Sequence, residues 1–123
     1  MAYQEITAEK VIPITSKEAL LLTFDLTDYL APDETISDVS GTDAYGVTLG
    51  ITVPTGITLA TSAIVNTSAI SQTDGDDIAI GKAIQAKFRT NSATLGKTYD
   101  THWIFYTSKG STREAVLTLK AVG

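Results

Sequence analysis

The chain has 123 residues, which is enough for one domain with a single hydrophobic core. Nine basic residues against 14 acidic ones give a formal net charge of −5, so nucleic acid and anionic membranes are poor partners. The absence of cysteine and the single histidine, His102, exclude disulfide scaffolds, thiol catalysis and metal sites built from several Cys or His ligands. We therefore expect a protein that works by contacting other proteins, with no enzymatic activity and no cofactor.

The beginning of the chain predicts no export. Its first residues lack a basic segment followed by an apolar run, and no stretch of the chain approaches the roughly 18 to 20 apolar residues of a membrane helix. We expect the protein to be made and kept in a cytoplasm, without a membrane partner.

The composition predicts an all-β fold. Threonine is the most abundant residue, and glycine and proline separate short apolar runs, as is typical of strands joined by turns. Residues 1–15 have mixed polarity and are predicted to form an N-terminal arm, either one that becomes ordered on a neighbouring protein or simply a frayed terminus. Tyr3 and Ile6 are the candidate contacts of such an arm. Residues 16–123 show no linker or internal repeat and are predicted to form one β-sandwich domain.

The first clear strand is predicted over Ala19–Leu26. Apolar side chains alternate with exposed positions through this run, which is the period of a strand with one buried face. Leu20, Leu22 and Phe24 are therefore assigned to the core.

The middle of the chain predicts two further strands joined by a tight turn. Val47–Val53 alternates between apolar residues and Thr or Gly, and Ile57–Leu59 continues the alternation after Pro54-Thr55-Gly56. Proline presets the first residue of a turn and glycine accepts a positive φ, so we predict a hairpin here. Tyr45, just before this region, is a third candidate for partner binding.

The last forty residues carry the strongest strand pattern, over Ala83–Thr90, Tyr99–Thr107 and Arg113–Val122. Gly110 provides a corner between the last two, which we predict to form the centre of a sheet. Trp103 and Leu117 are assigned to the core. Alternation places His102 on the face opposite Trp103, which favours a structural role for this histidine over a catalytic one.

Altogether about seven to nine strands are expected, spaced about 8 to 15 residues apart. Parallel α/β architectures would need helices between the strands, and the sequence predicts none. The fold class is therefore all-β, an antiparallel sandwich of two sheets.

One acidic cluster raises the question of a metal. Asp74, Asp76 and Asp77 offer the carboxylate oxygens that calcium prefers, but the spacing of an EF-hand loop is missing. A solvated turn is the favoured interpretation, and calcium binding stays open. We assign no catalytic, cofactor-binding or metal-binding residue.

Two segments together resemble a known family. Residues 16–40, SKEALLLTFDLTDYLAPDETISDVS, and residues 96–122, GKTYDTHWIFYTSKGSTREAVLTLKAV, resemble the small Ig-like β-sandwich proteins of tailed bacteriophages known as fibre–tail adaptors. The resemblance implies a virion structural protein, present in several copies, that links tail and fibre components through protein–protein contacts. It implies no catalytic residue.

Two other functions are compatible with a small β-sandwich. A capsid decoration protein would also be part of the virion, but it would lie on the capsid instead of the tail. Hundreds of copies per particle would distinguish it from a tail adaptor. A carbohydrate-binding module would stack aromatic rings on sugars. Tyr45, Trp103 and Tyr106 are the candidates for that stacking.

Overall fold

The structure, a computed structural model, describes residues 3–7, 11–15, 18–72, 76–90 and 94–122, and for residues 3–7 the backbone alone. These residues form two β-sheets and one short 3-10 turn, Thr27–Tyr29, so the predicted all-β sandwich is confirmed. The ten strands are β1 (Tyr3–Thr7), β2 (Ile12–Thr15), β3 (Ala19–Asp25), β4 (Ile36–Asp38), β5 (Gly50–Thr52), β6 (Ile57–Leu59), β7 (Ile64–Val65), β8 (Ala83–Thr90), β9 (Thr98–Thr107) and β10 (Thr112–Val122).

The six-stranded sheet is built around β9 and β10. These two strands pair antiparallel from Tyr106 opposite Thr112 to Thr98 opposite Lys120. Gly110, at a φ of +79°, turns the chain between them. β1 and β2 pair with β10, and β4 and β5 pair with β9. The predicted position of this pair at the centre of a sheet is confirmed.

The N-terminal segment differs from the predicted arm. β1 and β2 both run parallel to β10, with Tyr3 opposite Thr112 and Ile12 opposite Leu119. Ile14 is fully buried in the core. The outer edge of β10 has peptide groups that need hydrogen-bond partners, and β1 and β2 provide them. The described part of residues 1–15 therefore belongs to the sandwich, and the sheet is mixed rather than purely antiparallel.

The predicted hairpin at Pro54-Thr55-Gly56 is wrong in its pairing. The turn itself forms, with the N–H of Ile57 donating to the carbonyl of Pro54 at 3.2 Å. However, β5 pairs with β9 in the six-stranded sheet, whereas β6 pairs with β8 in the four-stranded sheet of β3, β6, β7 and β8. The turn therefore carries the chain from one sheet to the other.

The predicted strand Val47–Val53 is shorter than expected, because only Gly50–Thr52 is a strand. Residues 41–49 fold back on themselves as a loop. The N–H of Asp43 donates to the carbonyl of Val47 at 2.9 Å, and the N–H of Leu49 donates to the carbonyl of Gly41 at 2.8 Å. Alternating polarity cannot distinguish a strand within a sheet from such a self-paired loop.

The core lies between the two sheets and has Trp103 at its centre. The indole is fully buried and contacts Phe24 edge-on, with ring centroids 5.3 Å apart, and Phe88 at 5.6 Å. Leu22 and Leu117 are buried in the same cluster, and Leu20 is half-buried against it. The aromatic contacts join β9 of one sheet to β3 and β8 of the other.

Replacement of Trp103 by alanine should lower the free energy of unfolding by about 3 to 5 kcal/mol, because it leaves a large cavity where the two sheets meet. Urea denaturation monitored by circular dichroism measures the loss. Tyr45→Ala, at a side chain that is 74% exposed, is the control and should change stability by no more than about 0.5 kcal/mol. Equal losses in the two variants would contradict the placement of Trp103.

Gly56→Ala tests the crossing between the sheets. Gly56 has a φ of +108°, and a Cβ atom there would lie 2.9 Å from Cε1 of Tyr99. The Tyr99 hydroxyl accepts a hydrogen bond from the N–H of Thr94, which holds the ring in place. We expect a loss of about 2 to 4 kcal/mol from backbone strain and overpacking together.

The matched control for this variant is Gly46→Ala. Gly46 also has a positive φ, but a Cβ atom there meets nothing within 4 Å. Backbone strain alone predicts a loss of about 1 kcal/mol. In thermal denaturation, the melting temperature of Gly56→Ala should therefore be clearly lower than that of Gly46→Ala. The reverse order would be inconsistent with a Tyr99 ring close to Gly56.

Candidate functional site

Glu34 is a buried carboxylate at one end of the sandwich. It lies in the turn that leads from the four-stranded sheet into β4, and its residue surface is 1% exposed. Its Oε1 accepts a hydrogen bond from the N–H of Ala31 at 3.0 Å, and its Oε2 accepts one from the Thr107 hydroxyl at 2.6 Å. A carboxylate buried in this way needs compensation for its lost hydration, and these donors provide part of it.

Two cations complete the surroundings of this turn. The Arg113 guanidinium, at the start of β10, approaches Oε1 of Glu34 to 3.3 Å and also donates to the carbonyl of Tyr29. The Lys82 ammonium, just before β8, donates to the carbonyls of Ala31 at 3.1 Å, of Pro32 at 3.2 Å and of Glu34. Both sheets therefore hold the same turn, one through arginine and the other through lysine.

The exposed rim of this cluster joins the turn to the corner between β9 and β10. The Lys109 ammonium lies 2.7 Å from a carboxylate oxygen of Asp33. Thr35 and Ser108 exchange two hydrogen bonds, one at 2.9 Å from the Thr35 N–H to the Ser108 hydroxyl and one at 2.8 Å from the Ser108 N–H to the Thr35 carbonyl. Because the Lys109–Asp33 pair is exposed, it adds little to stability.

The electrostatics of the cluster favour ionised carboxylates. Burial opposes the ionisation of Glu34, but the hydrogen bonds from Thr107 and Ala31 and the charge of Arg113 outweigh it and lower the pKa of Glu34. The hydrogen bond from Lys109 lowers the pKa of Asp33 and raises the pKa of Lys109 itself.

The cluster is suited to holding backbone rather than to chemistry. Both Glu34 oxygens and the Lys82 ammonium are occupied by partners within the chain, which leaves neither group poised to bind or activate a substrate. Within the part of the chain that the structure describes, no buried side-chain nitrogen or oxygen lacks a hydrogen-bond partner. The cluster therefore fixes the positions of the loops at this end of the sandwich.

These loops form a surface that we call the corner end, made of residues 27–35, 41–49 and 108–111. The loop 41–49 is tied to the same place by Asp43, whose Oδ2 accepts a hydrogen bond from the Thr112 hydroxyl at 2.5 Å and whose Oδ1 accepts from the N–H of Tyr45 at 2.8 Å. The hydrogen bond from Thr112 is the main cause of a lowered pKa at Asp43. Two tyrosines are exposed on the corner end, Tyr29 at 41% and Tyr45 at 74%.

Of the three predicted partner-binding residues, the structure describes the side chain of one. Tyr45 is exposed at the tip of its loop. The side chains of Tyr3 and Ile6 lie outside the described part of the structure, but the Tyr3 backbone pairs with Thr112, the residue that also holds Asp43. The structure thus places Tyr45 and the Tyr3 backbone at the same end of β10.

Sequence reasoning did not identify Glu34, Lys82, Arg113 or Tyr29. Glu34 and Arg113 lie within the two segments that resemble the phage family, but nothing in their spacing distinguishes them from surface charges. Charged residues of this kind usually lie exposed on the surface, among polar neighbours. Only the long-range contact of Glu34 with Thr107, 73 residues away, shows that the glutamate is buried.

His102 and Trp103 lie on opposite faces of β9, as predicted. Nδ1 of His102 is 2.6 Å from Oε2 of Glu114 on the outer face, while the Trp103 indole N–H donates to the Thr101 hydroxyl at 2.8 Å inside. An open groove of about 550 Å³ lies beside His102, where β5 leaves the edge of β9. Its lining comes from residues 52–55, 97–100 and His102.

The burial of Trp103 bears on the carbohydrate-binding alternative. An indole with no exposed surface cannot stack on a sugar, and Tyr106 is half-buried. Of the three aromatic residues that this function would use, only Tyr45 is well exposed. A flat aromatic platform made from these three residues is therefore not formed.

The acidic cluster falls only partly within the structure. Asp74 lies outside the described residues, and Asp76 and Asp77 are exposed. Among the residues that are described, no group of three or more His, Asp or Glu side chains is placed to hold a metal ion. Nor does the described part contain a helix long and apolar enough to span a membrane.

Comparison with known proteins does not identify a family. No protein-family model, no curated protein and no solved structure matches the chain.

Glu34→Gln should lower the free energy of unfolding at neutral pH by about 3 kcal/mol, because Arg113 then loses its buried counter-charge. The same variant should flatten the pH dependence of stability. The folded-state pKa of Glu34 lies below its ordinary value of 4.5, so the stabilisation is complete above that value and is lost as the pH falls through the lowered pKa.

Urea denaturation between pH 7 and pH 2 measures both effects. Glu18→Gln, which removes an exposed carboxylate, is the matched control and should retain the acid sensitivity of the parent chain. An unchanged pH profile in Glu34→Gln would contradict a salt-bridged, ionised Glu34.

Proposed function

We propose that this chain is a structural protein of a tailed-bacteriophage particle, an adaptor that links tail and fibre components through protein–protein contacts. It would be made in the cytoplasm of the host bacterium, be present in several copies and carry out no catalysis. The proposal starts from the resemblance of residues 16–40 and 96–122 to the fibre–tail adaptors.

One observation carries the proposal furthest. The two segments that resemble the family, although far apart in sequence, join at the corner end through the Glu34–Thr107 hydrogen bond and the Glu34–Arg113 ion pair. The two segments also pair as strands, β4 with β9, so the residues that resemble the family form one continuous part of the sandwich.

The corner end is the surface that we assign to partner binding. Its loops are held in place by buried hydrogen bonds and ion pairs, so docking a partner costs little additional ordering of the backbone. Exposed tyrosines such as Tyr29 and Tyr45 provide large contact areas with few rotatable bonds and are enriched at interfaces. The net charge of −5 supports a protein partner over nucleic acid.

The position in the particle can be tested by mass spectrometry of purified phage and by gold labelling in electron microscopy. Tens of copies or fewer, located at the tail, are expected for an adaptor. Hundreds of copies over the capsid would instead indicate a decoration protein, and absence from the particle would overturn the proposal.

The corner end can be tested by complementation of a phage that lacks the gene. The double variant Tyr29→Ala and Tyr45→Ala should reduce incorporation into particles at least tenfold, because interface tyrosines contribute a large share of binding energy. Its melting temperature should stay close to that of the parent. The matched control is Leu95→Ala, at a 69% exposed residue before β9, at the opposite end of the sandwich. Equal incorporation of the two variants would exclude the corner end as the contact surface.

A further inference from the structure

In the part of the chain that the structure describes, β3 is an outermost strand of the four-stranded sheet. Among the described strands it pairs only with β8, through seven residues in continuous register. The other outermost strands of the two sheets, β1, β2, β4, β5, β6 and β7, have five residues or fewer. Short edge strands, prolines, bulges and inward-pointing charges are the usual protection against edge-to-edge pairing, and β3 has none of them.

The peptide groups along the free edge belong to alternate residues. The N–H of Leu26 donates to the carbonyl of Lys82 at 2.9 Å, in register with the β3–β8 ladder, and the carbonyl of Lys87, opposite Leu21, accepts from Ala60 on the far side. Hydrogen-bonded and non-bonded pairs alternate in an antiparallel ladder. The N–H and C=O groups of the odd-numbered residues Ala19 to Asp25 therefore point away from β8.

Side chains on the outer face of β3 are exposed and mostly uncharged. Ala19, Leu21 and Thr23 occupy this face, with Asp25 at its end, and Leu21 is 52% exposed. A long edge strand with an exposed, mostly uncharged outer face is a site where another chain can add a strand through main-chain hydrogen bonds.

We propose that this edge binds a second copy of the same chain, so that two β3 strands pair antiparallel around a twofold axis at Leu22. This register overlaps all seven residues of both strands. It also places the edge-directed peptide groups opposite each other, with Ala19 facing Asp25 and Leu21 facing Thr23 of the second copy. The two four-stranded sheets then form one continuous sheet with an isologous interface.

Charge complementarity supports a second copy as the occupant. Within one chain, Ala19 lies opposite Arg89 of β8. In the paired arrangement, Asp25 of one copy lies next to Ala19 of the other, and the small alanine leaves the Arg89 side chain free to reach the carboxylate. The twofold axis generates this contact twice. The two Leu21 side chains lie on the diagonal of the interface, within reach of each other.

The core-facing side chains of the two β3 strands are also compatible with this register. Leu22 and Phe24 are buried and Leu20 is half-buried against the core. In the proposed register these residues meet their counterparts on the same side of the joined sheet. A shift by one residue would place apolar side chains opposite polar ones and is therefore disfavoured.

Sedimentation velocity on the full chain over a range of concentrations tests the dimer. The parent chain should pass from monomer to dimer as its concentration rises. Leu21→Lys should raise the dimer dissociation constant about a hundredfold, since two exposed leucines lose their burial and two cations face each other. Ile64→Lys, at a 58% exposed residue on the opposite edge of the same sheet, is the matched control and should dimerise like the parent.

A second variant tests the charge pair without changing the apolar strand. Arg89→Glu places two carboxylates together at each end of the interface and should weaken the dimer at least tenfold, whereas Lys120→Glu on the other sheet should leave it unchanged. Circular dichroism of each variant verifies the fold. A parent chain that stays monomeric, or a dimer insensitive to both Leu21→Lys and Arg89→Glu, would overturn the proposal.

Spin labels test the geometry directly, since the chain has no cysteine and each introduced one is unique. Strand spacing predicts about 16 Å between the two Lys87 Cα atoms and about 25 Å between the two Ile64 Cα atoms. Labelled Lys87→Cys and Ile64→Cys should therefore give a short and a longer distance by pulsed electron resonance. Equal distances, or a longer one at position 87, would exclude pairing through β3.

Discussion

The burial of Trp103 between the two sheets is the contact on which the rest of the sandwich depends. The indole lies on the inner face of β9, at the centre of the larger sheet, and contacts Phe24 and Phe88 of the smaller one. Its N–H is satisfied by Thr101, whose own hydroxyl donates to the carbonyl of Leu117 on β10. A large side chain thus fills the interior without leaving an unpaired polar atom, which is the condition for a well-ordered core.

At the corner end, the turns between the sheets need hydrogen-bond partners for their carbonyls. A chain that crosses repeatedly between two sheets must pass through turns whose carbonyls no longer belong to a ladder. Lys82 satisfies three of these carbonyls at the turn before β4, and Glu34 links that turn to Thr107 and Arg113 of the other sheet. Charged groups are expensive to bury, but these are compensated by one another and by the backbone. The turn before β4 is therefore held to both sheets by specific hydrogen bonds and an ion pair.

With the core and the corner-end cluster buried, the loops and the strand edges are the exposed parts of the sandwich. The centre of the sandwich is apolar, and among the described residues no buried side-chain nitrogen or oxygen lacks a hydrogen-bond partner. Tyr29, Tyr45 and Leu21 of β3, in contrast, are exposed. We propose the corner end as the surface for a different protein and the edge of β3 as the surface for another copy. Together the two proposals describe a component of an assembly, in which each copy contacts its own kind and a second protein.

The local sequence determined the strands of the last forty residues, the face on which Trp103 lies and the turn at Gly110. The strands and their faces follow from the two-residue alternation of side chains, and the turn follows from the φ of a single glycine. The partners of the strands were decided only by tertiary structure. The turn at Pro54-Thr55-Gly56 has the same local chemistry whether it closes a hairpin or joins two sheets, and the parallel pairing of β1 and β2 depends on the free edge of β10. Glu34 likewise became a buried anchor only through a hydroxyl and a guanidinium more than seventy residues away, which no local pattern encodes.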